Sequence, residues 1–172
     1  MLILTISACP TAALASPTTI ASSTPAYRNR ISARPLSMLF GLGSFTYERA
    51  LGDRFSLEIS PSFIYWGWTA TKIYGGGAML GASAYLTGAA PRGLRIHADV
   101  MPLYIRGEDN DSTAAVFALG IRALCGYNWV WRSRFSLGLS GGLQYLHFKI
   151  DGITSVLNGV FPAMDLSLGY AW

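Results

Sequence analysis

From Arg54 onward the chain alternates strictly between apolar and polar positions. Phe55, Leu57, Ile59, Pro61, Phe63 and Tyr65 fall on one face, and Ser56, Glu58, Ser60 and Ser62 on the other. A repeat of two marks a β-strand whose faces meet different surroundings. The run lasts about a dozen residues, against a usual strand of roughly 5 or 6, and is long enough to cross a hydrocarbon layer at the tilt of a membrane barrel.

The same pattern returns downstream between turn-like segments. Residues 74 to 86 are glycine-rich and set Ala78, Leu80, Ala82, Ala84 and Leu86 on one face. Residues 94 to 104 alternate Leu94, Ile96, Ala98 and Val100 with Arg95, His97 and Asp99. Residues 114 to 130 place Phe117, Leu119, Ile121, Ala123, Cys125, Tyr127 and Trp129 opposite Ala118, Gly120, Arg122, Gly126 and Asn128. Residues 135 to 148 oppose Phe135, Leu137, Leu139, Leu143 and Tyr145 to Ser136, Gly138, Ser140, Gly142 and Gln144. The last run opposes Met164, Leu166, Leu168, Tyr170 and Trp172 to Ala163, Asp165, Ser167, Gly169 and Ala171.

Connections of two kinds separate these runs. Short ones lie at Leu51-Gly52-Asp53, Thr87 to Gly93 and Trp131 to Arg134; longer polar ones are expected near Thr69 to Ile73, Arg106 to Thr113 and Lys149 to Asn158. Membrane barrels have short periplasmic turns and longer external loops. On that rule the strand ending at Ala50 descends toward the periplasm, so residues 30 to 50 are expected to form two strands joined by a tight external turn near Gly41-Leu42-Gly43. The expected fold is an all-β, eight-stranded antiparallel up-and-down transmembrane barrel. Aromatic residues are expected as two belts, with Tyr47, Phe55, Tyr85, Tyr127, Trp129, Phe135 and Trp172 at the periplasmic rim and Tyr65, Trp66, Trp68, Tyr74, Tyr104 and Tyr145 at the other.

Composition supports an apolar solvent. Charged residues are 13% of the 172, where about 25% is usual, and 51% are hydrophobic. Past the first 15 residues no run approaches the roughly 18 consecutive apolar positions of a spanning helix. The net charge of +4 does not point to nucleic acid, because only Arg28, Arg30 and Arg34 cluster and no nucleic-acid module is present.

Residues 1–15, MLILTISACPTAALA, end in Ala13-Leu14-Ala15 and are expected to be a signal peptide cut before Ser16. They lack a basic start. Lipidation at Cys9, in Ile6-Ser7-Ala8-Cys9, is the less favoured alternative. Residues 16–29, rich in Ser, Thr, Pro and Ala, read as a flexible lead-in, and 30–172 as the barrel. Cys125 is then the one cysteine of the exported chain, which excludes an internal disulfide.

The chain ends Met164-Asp-Leu166-Ser-Leu168-Gly-Tyr170-Ala-Trp172. This resembles the C-terminal signal of outer-membrane barrels, read by the barrel-assembly machinery through Leu166, Leu168, Tyr170 and Trp172. The stretch from about residue 30 to 172 is similar to small OmpA-like and OmpX-like barrels. Tyr47 to Leu51, Tyr-Glu-Arg-Ala-Leu, adds a likeness to uncharacterised members of that group. The resemblance implies a fold and a place, the outer membrane of a Gram-negative-type cell among its lipids and lipopolysaccharide, and no activity.

A soluble lipocalin-like ligand-binding barrel would carry the same alternation with its apolar face inside. Long strands, sparse charge and aromatic belts favour lipid outside. The faces bearing Glu48, Glu58, Arg95, Asp99, Arg122 and Asp165 then point inward, where eight strands leave room only for side chains. These six are expected to form a neutralising lumen network, since an unpaired buried charge is costly.

A lipid A or phospholipid hydrolase is the enzymatic alternative and would use a His with a Ser and an acid. His97 and His147 lack a same-face serine neighbour along their own strands, although a cross-strand set such as His147 with Ser62 or Ser140 stays open. Two dispersed histidines and no cysteine cluster give no metal-site spacing and no cofactor. The expectation is a monomeric, non-enzymatic envelope-structural or surface-interaction protein rather than a wide pore.

Overall fold

The computed structural model describes residues 27–39, 41–68, 71–109, 112–150 and 159–172. Eight strands follow in chain order: β1 Asn29–Ala33, β2 Leu42–Ala50, β3 Phe55–Trp68, β4 Thr71–Tyr85, β5 Gly93–Asp109, β6 Ser112–Val130, β7 Phe135–Ile150 and β8 Gly159–Ala171. Each pairs antiparallel with the next, and β8 returns to β1 to close the barrel. The expected signal peptide, most of the lead-in, Cys9 and residues 151–158 of the expected last loop lie outside the described residues. No helix among the described residues is long and apolar enough to cross a membrane.

Alternation becomes sidedness once the barrel closes. Along β3, Ser56, Glu58, Ser60 and Ser62 are buried while Phe55, Leu57, Ile59, Phe63 and Tyr65 are exposed. The other long strands repeat the arrangement, with Leu80, Ile96, Phe117, Ile121, Leu139, Leu143 and Leu168 on the outer wall. A water-soluble barrel would place its apolar side chains inward, so this wall is the reverse of what burial in water rewards.

Three expectations are corrected. Residues 30 to 50 do form two strands, but their connection is longer than the tight turn expected near Gly41-Leu42-Gly43: a five-residue helix, α1 Pro35–Leu39, precedes a turn at Gly41 with φ 75°, and Leu42 and Gly43 already belong to β2. Pro35 has its φ preset for a first helical position, and Gly41, two residues past the helix, adopts the left-handed conformation without strain. The expected loops at 69–73 and 106–113 shrink, because β3 and β4 run to Trp68 and from Thr71, and β5 and β6 run to Asp109 and from Ser112. Paired strands satisfy the polar backbone of these stretches; at 17 and 19 residues, β5 and β6 exceed the roughly 9 to 11 that a bilayer core requires. Tyr85, expected in an aromatic belt, points into the lumen and is 2% exposed, since it shares its strand face with Met79 and Ser83.

The interior is layered along the barrel axis. At the end of the short turns, Ala50, Tyr85 and Ala90 form an apolar cluster. The segment after β4 folds across this mouth: the Ala90 amide donates to the Asp53 carbonyl at 2.8 Å, and Asn128 Nδ2 reaches the Pro91 carbonyl at 3.3 Å. Toward the other end Met79, Met101, Leu103 and Ala118 form a second apolar cluster, packed by Leu42, Ile105 and Leu146. Between these two stoppers the lumen is polar and charged.

Candidate functional site: a charged lumen and an aromatic rim

Among the described residues, four arginines, Arg30, Arg34, Arg95 and Arg122, and four carboxylates, Glu48, Glu58, Asp99 and Asp165, are buried in the polar layer, equal in number. The six residues expected on sequence grounds are all among them. Arg30 and Arg34 were not singled out, because β1 is too short to display a period. Their proximity to one another and to Arg28 reads as a basic cluster rather than as two inward positions.

Glu58 on β3 lies at the centre of one group. Arg95 NH1 donates to its Oε1 at 2.5 Å, Ser83 Oγ to the same oxygen at 2.9 Å, and Arg34 NH2 lies 3.5 Å from Oε2. Glu48 on β2 forms a second, accepting from Ser56 Oγ and the Tyr85 hydroxyl, each at 2.6 Å. Arg30 Nε sits 2.8 Å from Glu48 Oε2 but is not aimed as a hydrogen bond, so that contact is chiefly Coulombic. Asn128 Nδ2 donates to the Tyr85 hydroxyl at 3.0 Å, tying the group to β6.

The third group pairs adjacent strands directly. Asp99 on β5 and Arg122 on β6 are register partners, and Arg122 Nε and NH2 lie 2.9 Å from Oδ1 and 2.7 Å from Oδ2. Arg34 and Arg122 also point guanidinium N–H groups at the Met79 sulfur, at 3.3 and 3.2 Å, where the charged layer meets the apolar one. Asp165 on β8 is the most loosely held carboxylate, 3.6 Å from Arg34 Nε.

His97 joins two groups. Its Nε2 lies 2.8 Å from Asp99 Oδ2 and its Nδ1 lies 3.0 Å from Ser83 Oγ. Ser83 and His97 are register partners on β4 and β5, so the serine absent along the histidine's own strand comes from across the sheet. The room is made by glycine: a Cβ at Gly81 would stand 2.6 Å from His97 Cε1. The pairing that the sequence leaves open, His147 with Ser62 or Ser140, does not form. His147 is an exposed partner of Leu119 on the outer wall, whereas Ser62 and Ser140 are buried inward, so His147 shares a face with neither.

A serine, an imidazole and a carboxylate in hydrogen-bonded line have the makings of a nucleophile and its base. Here they are 2%, 1% and 5% exposed between two apolar stoppers, and the same serine hydroxyl is held by Glu58. That arrangement fits a network member better than a group positioned to meet a substrate.

Outside, the short-turn rim gathers the described ring contacts. Tyr127 and Trp129 lie 4.8 Å apart between centroids, Trp131 and Phe135 5.4 Å, Tyr170 and Trp172 6.3 Å, and Tyr47 and Trp172 6.4 Å. Leu168, Tyr170 and Trp172 face outward on β8, while Leu166 is half-buried. The backbone of Trp172 clamps the closing seam, its carbonyl accepting from Asn29 at 2.9 Å and its amide donating to the Asn29 carbonyl at 2.9 Å. Cys125 is exposed on the outer wall. Neither the protein-family models nor the curated proteins compared with the chain give a match.

Proposed function

We propose that the protein is an integral outer-membrane β-barrel with a structural or surface-interaction role in the envelope, and that it is not an open pore. The observation that carries this reading is the inverted sidedness, with an apolar outer wall enclosing a charged lumen. Closed barrels leave no sheet edge unsatisfied in hydrocarbon, and the paired rings at one rim suit a membrane–water interface. Stoppers at both ends of the charged layer argue against conduction. By resemblance, Leu166, Leu168, Tyr170 and Trp172 serve the barrel-assembly machinery, and outer-membrane lipids surround a monomer.

The test is fractionation of cells making the full chain, followed by gel electrophoresis with and without heating. A membrane-bound species whose mobility changes on boiling is expected, together with no porin-sized conductance in planar bilayers. A monomer soluble without detergent overturns the reading in favour of a lipocalin-like barrel. The second reading, a lipid hydrolase, draws on the Ser83, His97 and Asp99 line. It calls for changed lipid A or phospholipid mass spectra in producing cells, and for loss of that change in Ser83→Ala.

A further inference from the structure

The exposed cations are not spread evenly over the barrel. Arg28, Arg49, Arg54, Arg92, Arg132 and Arg134 are all exposed, and all lie in or beside the short turns or at the seam between the chain's two ends. Among the described residues of this rim, Asp53 is the single exposed acidic side chain. At the opposite rim the described side chains include two exposed cations, Lys72 and Arg106. A soluble surface of this size ordinarily mixes signs, and a one-sign belt sets up a field that only an anionic surface satisfies.

Two details show that this belt is more than solvation. Arg134 adopts φ 68°, a left-handed backbone that favours glycine, in a tight turn where glycine would serve the fold better. Its backbone carbonyl accepts from Ala171 at 2.8 Å, a bond glycine would keep, so the side chain is what distinguishes the residue; it donates to the Tyr170 hydroxyl at 3.1 Å within the aromatic rim. Arg49 points out of β2 one residue before the strand ends, where an arginine on the lipid-facing wall costs little. Beside it runs an outer-wall groove of about 320 Å³ lined by Tyr47, Leu51, Leu57, Ile59 and Leu80. A cation standing over an apolar groove is the outline of an anionic headgroup and an acyl chain.

We propose that the turn rim seats anionic phospholipid, with a lipid phosphate on Arg49, its chain in the adjoining groove, and further headgroups on the arginines around the rim. The proposal rests on the membrane reading and adds to it a lipid class and a leaflet: the rim of short turns faces the phospholipid leaflet. Attraction of this kind is electrostatic and short in reach, so salt should weaken it.

The full chain is refolded into vesicles of phosphatidylcholine containing a minority of phosphatidylglycerol. Lipid bound at the protein surface is then read by electron spin resonance with spin-labelled phosphatidylglycerol or phosphatidylcholine. The expected result is a preference of about fivefold for the anionic label, the scale set by one arginine at an anionic surface. It should fall toward parity in high salt and in the double variant Arg49→Gln/Arg134→Gly, whose gel mobility shift should persist. Parity in the inserted wild-type barrel overturns this proposal alone, and so does a preference unmoved by both salt and the double variant. Failure to insert into either vesicle overturns the membrane reading and this proposal with it.

Discussion

The guanidinium of Arg122 meets the carboxylate of Asp99 edge to edge across the β5–β6 pair, with Nε 2.9 Å from Oδ1 and NH2 2.7 Å from Oδ2. Two parallel contacts fix direction as well as charge. Removing one partner leaves the other charged and buried, so Arg122→Ala is expected to cost about 3 to 5 kcal/mol. The double variant Arg122→Ala/Asp99→Ala should recover part of that loss. Urea unfolding in lipid vesicles, followed by tryptophan fluorescence, measures both; an unchanged midpoint for the single variant would show that water already shares the lumen.

Tyr85 holds Glu48 through its hydroxyl at 2.6 Å and accepts from Asn128 at 3.0 Å. Tyr85→Phe keeps the ring in the mouth cluster but strips a donor from a buried carboxylate. The expected loss is about 1 to 3 kcal/mol in the same unfolding measurement. A loss restricted to Tyr85→Ala would assign the residue to packing alone.

Much of this interior was legible from period-two alternation. Glu48, Glu58, Arg95, Asp99, Arg122 and Asp165 occupy inward positions because their strands alternate without a break, and a single inward assignment fixes every other residue of such a strand. Tyr85 was misread by weighing its aromatic type over its parity. Alternation also gives no cross-strand register, which is why Ser83 opposite His97 stayed hidden: that pairing depends on the turn between β4 and β5. Pro35–Leu39 was missed for a different reason, since one helical turn is too short to show a period.

Gly81 stands where a Cβ would fall 2.6 Å from His97 Cε1 and 3.0 Å from Asp99 Cβ. Gly81→Ala should push the imidazole out of line with Ser83 and Asp99. The signature is a shift of the His97 ring resonances in NMR of the refolded barrel, with the fold retained by gel mobility. Unmoved resonances would show that the ring has slack.

Topology can be read with cysteines in a Cys125→Ala background. Lys72 is exposed beside the β3–β4 hairpin, and Ser133 is exposed in the turn between β6 and β7, at opposite ends of the barrel. Lys72→Cys should react with a membrane-impermeant maleimide on intact cells, and Ser133→Cys only after the outer membrane is permeabilised. The reverse pattern would invert the barrel.

Deleting Tyr170 to Trp172 removes the backbone bonds between Trp172 and Asn29 and both ring contacts of Trp172. A chain terminus usually tolerates such loss. Here the heat-modifiable form is expected to fall and aggregated or degraded chain to rise, as cell fractionation would show. Undiminished membrane-inserted barrel would mean that β8 closes the seam without its last residues.

Arg34, just after β1, reaches Asp165 on β8, Glu58 on β3 and the Met79 sulfur on β4. Its contact with Asp165 therefore joins segments near the two ends of the chain, and it can form only after nearly all of the chain has been threaded into place. Before that moment the half-built cylinder holds a guanidinium whose counter-ion on β8 has not arrived. Partial barrels are penalised twice, by the open edge and by the unanswered charge. Folding should then be steeply cooperative, with few persistent intermediates, because the first and last thirds of the polypeptide settle into their final states in the same event.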